Sequence, residues 1–257
     1  MKKIKKIVAI IITIVIFTNS FSMFSASATN QDKRYQINRN GETYGNLLTA
    51  ISIGYEPDLI EAVGVNGIEG YVKSIDLNLP IPSNPSEAVQ TTKNTNPRTI
   101  NLYDKDGKTI IDSFQIDVPS VRYETSILSQ SSNDFQYGDY GYGTAAGISI
   151  SNYSGIRAIW RGIRGVTGIG TTAAGVKFPA GHVGVKIRII KQSNGKLVRE
   201  SDYVYNEIST TAFSAVDEHT SFLYEKYYNL GYTRVHNGMD YWTYNTFQSP
   251  SIYPTLL

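Results

Sequence analysis

The chain of 257 residues carries 24 basic and 22 acidic side chains, 19 tyrosines and no cysteine. The absence of cysteine excludes disulfide bonds and thiolate-bound metals, so the burial of apolar side chains has to hold the fold together. A chain of this length can form one large domain or two small ones.

The N-terminal 28 residues have the layout of a secretory signal peptide. Four lysines within the first six residues precede an apolar run over residues 7–17, and Ala26-Ser-Ala28 supplies the small residues of a cleavage site. This run is shorter than the roughly 20 residues that a membrane-spanning helix needs. We therefore expect a secreted, extracellular protein that has no membrane span after cleavage and is associated with the wall non-covalently at most. The 20 basic and 22 acidic side chains that remain give a net charge of −2, which favours no nucleic-acid partner.

Residues 29–122 are predicted to form a small β module. Asn66-Gly67 lies between apolar runs over residues 58–65 and 68–73, which is typical of a hairpin with a type I′ turn. A second hairpin is predicted around Lys105-Asp-Gly107, between residues 99–103 and 109–116. Prolines between residues 78 and 97 exclude a central strand there, so we interpret this stretch as a connector with one helical turn over residues 86–90.

Residues 123–146 are predicted to be a linker, because Ser, Gly, Asn and Tyr dominate their composition. The centre of this segment is Gln136-Tyr-Gly-Asp-Tyr-Gly-Tyr-Gly143. An ordered aromatic loop is the alternative interpretation of the same residues.

Residues 147–257 are predicted to form an antiparallel, β-sandwich-like domain. Over residues 183–190, apolar side chains mostly alternate with Gly184, Lys186 and Arg188, which indicates a half-buried strand. Turns at Ser193-Asn-Gly195 and Asn237-Gly238 predict two further hairpins. Helix is expected over residues 215–224 at most, so the predicted fold class of the whole chain is mainly β.

Three groups of motifs are similar to segments of secreted proteins from Gram-positive bacteria. They are Gly41-Glu-Thr-Tyr-Gly45 with Glu56-Pro-Asp-Leu-Ile60 and Gly70-Tyr-Val-Lys-Ser-Ile-Asp-Leu77; Arg98-Thr-Ile-Asn-Leu-Tyr-Asp-Lys-Asp-Gly-Lys-Thr-Ile110; and Pro179-Ala-Gly-His-Val-Gly184 with Tyr227-Tyr-Asn-Leu-Gly231 and Asn237-Gly238 through Ser249-Pro250. The chain resembles uncharacterised proteins of this kind, some of them prophage-encoded, over most of its length. The resemblance implies export and two β modules, and it carries no established activity. Residues 70–77 also resemble the end of bacterial SH3-like wall modules.

The candidates for catalysis are few. His182, His219 and His236 are too far apart in sequence for a local metal motif. Asp217-Glu-His219 could form a tuned general base, although an exposed polar loop explains the same residues without catalysis. Asp104-Lys-Asp-Gly107 lacks the closing Glu of a calcium loop, and a hairpin turn accounts for it. We therefore predict no catalytic residue, no metal and no other cofactor.

A basic segment between Arg157 and Arg199 contains nine Lys or Arg residues and no acidic residue. Folded as adjacent strands, it would present a positive face to an anionic wall polymer or to the envelope surface. Solvated positions paired with Glu200, Asp202 or other acids are the alternative. The predicted polymer-binding set is Arg157, Arg161, Arg164, Lys186, Arg188, Lys191 and Arg199.

These features predict a secreted interaction protein rather than an enzyme. A hydrolase of cell-wall or extracellular polymer and a prophage-type secreted toxin are the alternatives. Grouped carboxylates in a deep cleft would indicate the hydrolase, whereas a basic or aromatic face would indicate binding. The tyrosines serve either as stacking surfaces for sugars or as core, and we expect core packing with cross-strand pairing.

Overall fold

The computed structural model describes residues 34–124, 135–221 and 224–254, so the predicted signal peptide over residues 1–28 lies outside the described residues. Strands make up 52% of the structure and helices 10%, which confirms the predicted mainly β fold. Nothing in this described part is a helix long and apolar enough to cross a membrane.

Five strands close into a small barrel. They are β3 (Leu59–Val63), β4 (Glu69–Lys73), β5 (Arg98–Tyr103), β6 (Ile110–Asp117) and β14 (Leu197–Ser201). Strand β14 pairs in parallel with β6 through Glu200 and Ile116, and with β3 through Leu197 and Ala62, so the ring of strands is complete. The hairpins predicted around Asn66-Gly67 and Lys105-Asp-Gly107 are confirmed as β3–β4 and β5–β6.

The barrel is part of a nine-stranded sheet that draws on both halves of the chain. The sheet also contains β1 (Gln36–Ile37), β2 (Thr43–Gly45), β13 (Arg188–Lys191) and β17 (Tyr227–Asn229). Strands on both sides of the predicted linker over residues 123–146 therefore share one sheet. Residues 125–134 of that linker lie outside the described part of the chain.

Two helices and a 3₁₀ turn (Ser74–Leu77) accompany the barrel. Helix α1 (Leu47–Ile53) begins after Asn46, whose side chain accepts from the Thr49 amide, and sequence reasoning missed it. Helix α2 (Pro85–Asn94) is longer than the single turn predicted over residues 86–90. Asn84 caps it and Pro85 occupies its first turn, a combination that favours helix initiation.

The remaining strands form two further sheets that pack around a shared core. The six-stranded sheet contains β7 (Ser120–Glu124), β8 (Gln136–Tyr137), β9 (Gly141–Ala145), β10 (Ile148–Trp160), β11 (Arg164–Phe178) and β16 (Thr210–Thr220). The four-stranded sheet contains β12 (Val183–Lys186), β15 (Val204–Tyr205), β18 (Tyr232–His236) and β19 (Tyr241–Asn245), and β18–β19 is the hairpin predicted around Asn237-Gly238. Ile156 and Phe213 of one sheet pack in the same buried cluster as Val185 and Val235 of the other.

Two predictions of secondary structure are wrong. Residues 183–190 are not one strand, because the chain leaves the four-stranded sheet after Lys186 and joins the nine-stranded sheet at Arg188. Ser201 holds this corner, since its Oγ accepts from the Ile187 amide at 3.0 Å and its own amide donates to the Ile187 carbonyl at 3.0 Å. The helix expected over residues 215–224 is strand β16 up to Thr220, because β11 and β7 pair with it on its two sides.

Candidate functional site

Lys186 and Arg188 of the predicted polymer-binding set lie in the interior of the fold. Their side chains are each 1% exposed, and Glu200 is fully buried beside them. The Lys186 ammonium contacts the Glu200 carboxylate and donates to the Leu77 carbonyl at 2.7 Å, while Arg188 Nε lies 2.8 Å from Glu200 Oε2. A polymer outside the protein could not reach either cation, which corrects their predicted role.

Glu56 completes this group at its outer edge. Its Oε1 accepts from Arg188 Nη1 and from the Tyr232 hydroxyl. Burial opposes ionisation of Glu56, but the charge and hydrogen bond of Arg188 outweigh it, so the pKa of Glu56 is below its ordinary value. We call Lys186, Arg188, Glu200 and Glu56 the buried charge cluster; its two cations and two anions balance.

The other predicted polymer-binding residues also have partners within the fold. Arg199 contacts Asp117, and its Nε lies 3.2 Å from Asp217 Oδ2. The remaining contacts are Lys191 with Glu225 at 2.8 Å, Arg161 with Glu218 at 2.9 Å, Arg157 over the Phe135 ring at 4.7 Å and Arg164 over the Tyr224 ring at 5.3 Å. Each of the seven cations therefore has a partner within the fold, and the set does not form one exposed face because Lys186 and Arg188 are buried.

The Asp217-Glu-His219 segment lies on strand β16 beside a polar cleft of about 300 Å³, not in an exposed loop. Burial raises the pKa of Asp217 to about 6 against the opposing charge of Arg199. Burial, together with Arg199 and Lys191, lowers the pKa of His219 to about 4. The imidazole is thus neutral over the physiological range, and its neighbours oppose its protonation.

The polar cleft does not present a pair of free carboxylates. Glu218 is the carboxylate in the lining of the cleft, and it contacts Arg161 at 2.9 Å. Asp117 and Asp217 nearby are 8% and 7% exposed, and both contact Arg199. No group of three or more His, Asp or Glu side chains in the described ranges could hold a metal ion. The other two histidines pack against each other, with the ring centroids of His182 and His236 5.2 Å apart. These carboxylates and histidines therefore each have a partner within the described part of the fold.

A groove with a different character lies between strands β9 and β19. We call it the tyrosine groove; its volume is about 600 Å³, and its lining residues are Tyr140, Gly141, Tyr142, Asn152, Thr243, Tyr244, Asn245 and Phe247. No member of this lining carries a charge. Strand β9 pairs with β10 and β19 pairs with β18, so the groove runs between the outer strands of two sheets. Its volume is within the range of about 300–1,000 Å³ that is usual for ligand sites.

Glycines position the aromatic wall of the groove. A Cβ atom at Gly143 would lie 2.7 Å from the Tyr244 ring, so only glycine lets that ring pack against β9. The Tyr244 hydroxyl then donates to the Thr144 carbonyl at 3.1 Å, which fixes the ring from its outer end. A Cβ at Gly141 would in the same way collide with the side chain of Asn152.

The groove combines exposed rings with hydrogen-bonding groups. Tyr142 is 81% exposed and Phe247 is 53% exposed, while Thr243 and Asn245 are exposed on β19. Asn152 at the base donates to Thr233 Oγ1 at 3.0 Å, and its Oδ1 has no partner among the described residues. By contrast, Tyr203, Tyr205 and Tyr241 are buried together, which confirms the expected core role for those three tyrosines.

The chain matches no known family model and none of the curated proteins. The groove therefore has to be interpreted from its own geometry. Sequence reasoning assigned Gln136 to Gly143 to a linker, with an ordered aromatic loop as the alternative, and did not connect it to β19. The alternation Tyr140-Gly-Tyr-Gly143 is the signal that could have found it, since period-two alternation is typical of a strand with one bulky face.

Proposed function

We propose that this protein binds an uncharged saccharide outside the cell, with the tyrosine groove as its binding site. The observation that carries the proposal is a groove that combines rings, amides and hydroxyls without a charged lining residue. Aromatic rings contact the apolar C–H faces of pyranose sugars, while amides and hydroxyls pair with sugar hydroxyls. Tyrosine is suited to this task because its ring is apolar and its tip is polar.

The charges of the chain support the choice of an uncharged ligand. Lys186 and Arg188 are neutralised inside the fold by Glu200 and Glu56, so they are not offered to a polyanion. A neutral sugar needs no counter-charge and gains its affinity from ring contact and hydrogen bonds. The predicted signal peptide would place the groove where extracellular and cell-wall polysaccharides are abundant.

The experiment is isothermal titration calorimetry of the purified chain against a panel of neutral oligosaccharides. We expect Tyr142→Ala and Tyr244→Ala each to weaken binding about tenfold, the loss of roughly 1.4 kcal/mol of ring contact. Trp242→Ala is the matched control, because Trp242 lies on the same strand as Tyr244, is 50% exposed and does not line the groove. Failure of every neutral sugar to bind, or an equal loss in Trp242→Ala, would overturn the proposal.

A further inference from the structure

A second pocket opens beside the tyrosine groove. Its volume is about 280 Å³, and its lining is mainly apolar, from Leu47, Ala50, Ile51, Gly54, Tyr55, Glu56, Leu230, Tyr232, Asn245, Thr246, Phe247 and Gln248. We call it the Glu56 pocket. Asn245 and Phe247 line both the pocket and the groove, so the two cavities adjoin at these residues.

Glu56 gives this apolar pocket one strong hydrogen-bond acceptor. The Arg188 and Tyr232 hydrogen bonds to Glu56 both end on Oε1, so among the described residues Oε2 is the oxygen left for a ligand. The lowered pKa of Glu56 keeps the carboxylate ionised at neutral pH. An ionised oxygen in an apolar setting accepts hydrogen bonds that are stronger than those of a neutral group.

The charge balance around Glu56 favours a neutral donor over a cation. Arg188 already neutralises Glu56, and Lys186 with Glu200 forms the second pair of the buried charge cluster. A ligand cation would add an uncompensated charge to a partly desolvated site, which is costly. A neutral N–H attached to an apolar group satisfies Oε2 and fills the apolar lining with no such cost.

We propose that the ligand is an N-acylated amino sugar, whose acyl group enters the Glu56 pocket and whose amide N–H donates to Glu56 Oε2. The sugar ring then lies where the pocket adjoins the tyrosine groove, against Phe247 and Asn245, because the amide nitrogen is bonded directly to the ring. This inference rests on the proposed function and narrows its ligand class. Leu47, Ala50 and Leu230 are the apolar side chains that the acyl group would contact.

Three β-1,4-linked tetrasaccharides that differ only at C2 test the inference by calorimetry. They carry a hydroxyl (the glucose tetramer), an acetamido group (the N-acetylglucosamine tetramer) or a free amine (the glucosamine tetramer). We expect the acetamido ligand to bind about fourfold more tightly than the glucose tetramer. The C2 hydroxyl of glucose can also donate to Glu56 Oε2, so the preference comes from burial of the acyl methyl group against the apolar lining, which is worth about 0.8 kcal/mol. The amine should bind no better than the hydroxyl.

Two variants test the pocket. Glu56→Gln keeps an oxygen for Arg188 and Tyr232 but replaces the second oxygen by a donor, so the affinities for the acetamido and the glucose tetramers should both fall about tenfold. Ile51 lies on the rim of the Glu56 pocket, is 51% exposed and does not belong to the buried charge cluster. Ile51→Asp should weaken the preference for the acetamido ligand over the glucose tetramer, and it tests the pocket even if Glu56→Gln fails to fold. Met239→Ala is the control, since Met239 is 86% exposed and lines neither cavity.

The outcomes distinguish this inference from the proposed function. Equal binding of the acetamido and glucose tetramers overturns the acyl-group assignment and leaves the saccharide groove standing. Tightest binding of the amine also overturns it, because the pocket would then select a cation. Absence of binding by every sugar, including the wider neutral panel, overturns the proposed function itself.

Discussion

The sequence predicted a ligand-binding face at Lys186 and Arg188 of the buried charge cluster, and a linker where one wall of the tyrosine groove lies. The structure buries the predicted binding residues and exposes part of the predicted linker as a groove wall. Lys186 and Arg188 belong to the longest acid-free basic segment that the sequence analysis singled out, yet both are 1% exposed. The segment from Tyr140 to Tyr142 has the composition of a linker, yet it forms part of an exposed groove wall. A charge run is therefore a poor guide to a binding surface when its strands cross between sheets.

The comparison also shows how the same residue type serves two purposes. Tyr205 and Tyr241 pack edge to face at 5.3 Å within the core, and Arg234 donates to the Tyr205 hydroxyl at 3.0 Å. Tyr142 is 81% exposed, whereas Tyr244 is partly buried: its hydroxyl donates to the Thr144 carbonyl, and its ring packs against Gly143 and the edge of the core. Burial of the ring, rather than its position in a strand, separates structural tyrosines from those available to a ligand.

The largest effect is expected from Glu200→Ala, which removes the anion shared by Lys186 and Arg188. Leaving two buried cations without that partner should lower the free energy of unfolding by about 3–5 kcal/mol. Denaturant unfolding measures the loss. Glu207→Ala is the matched control at an exposed position, with an expected change within about 0.5 kcal/mol. A loss below about 1 kcal/mol for Glu200→Ala would mean that solvent reaches the cluster.

A smaller, pH-dependent effect is expected at Asp217 and His219. The pKa of Asp217 in the folded state, about 6, is above the value of about 3.9 in the unfolded chain. The contribution of Asp217 to the free energy of unfolding therefore decreases as the pH rises from about 4 to about 6. The pKa of His219 in the folded state, about 4, is below the unfolded value of about 6.5. The contribution of His219 to the free energy of unfolding therefore increases as the pH rises from about 4 to about 6.5. In the wild-type protein the two trends oppose each other.

Asp217→Asn removes the contribution of Asp217, so the pH dependence of stability that His219 causes should become measurable. The free energy of unfolding of this variant should rise, relative to that of the wild type, by about 2 kcal/mol between pH 4 and 6.5. His219→Gln should show the opposite slope, with Arg199, Asp117 and Lys191 unchanged around the site. Chemical denaturation at four pH values measures both, and curves parallel to that of the wild type would contradict the assigned protonation states.

The smallest change in stability is expected from Gly143→Ala in the groove wall. The new Cβ would lie 2.7 Å from the Tyr244 ring, so the ring must move, at a cost of about 1 kcal/mol in unfolding free energy. Saccharide affinity should fall more than stability, because the displaced ring lines the groove. Gly175→Ala is the control, as nothing lies within 4 Å of its Cβ position. Unchanged sugar binding in Gly143→Ala would remove Tyr244 from the site.

Local signals predicted much of the fold. Asn66-Gly67 and Asn237-Gly238 each lie in the turn of an observed hairpin, because their backbone preferences act within a few residues. Helix α1 was missed, although Asn46 caps it, because the helix is only seven residues long and has little periodicity to detect. The groove was missed because Gly143 and Tyr244 are a hundred residues apart in sequence and meet only when two sheets are brought together.

The sequence by itself determined the strand-rich class, the tight hairpins and the absence of thiol chemistry, since each follows from residue types acting locally. The tertiary structure decided which charges are buried and which rings are exposed. Lys186 and Arg188 are internal because the chain changes sheets at Ile187, and Glu200 is carried there by a strand that closes the barrel. Charge compensation and groove formation depend on contacts between distant segments, and sequence spacing does not encode those distances.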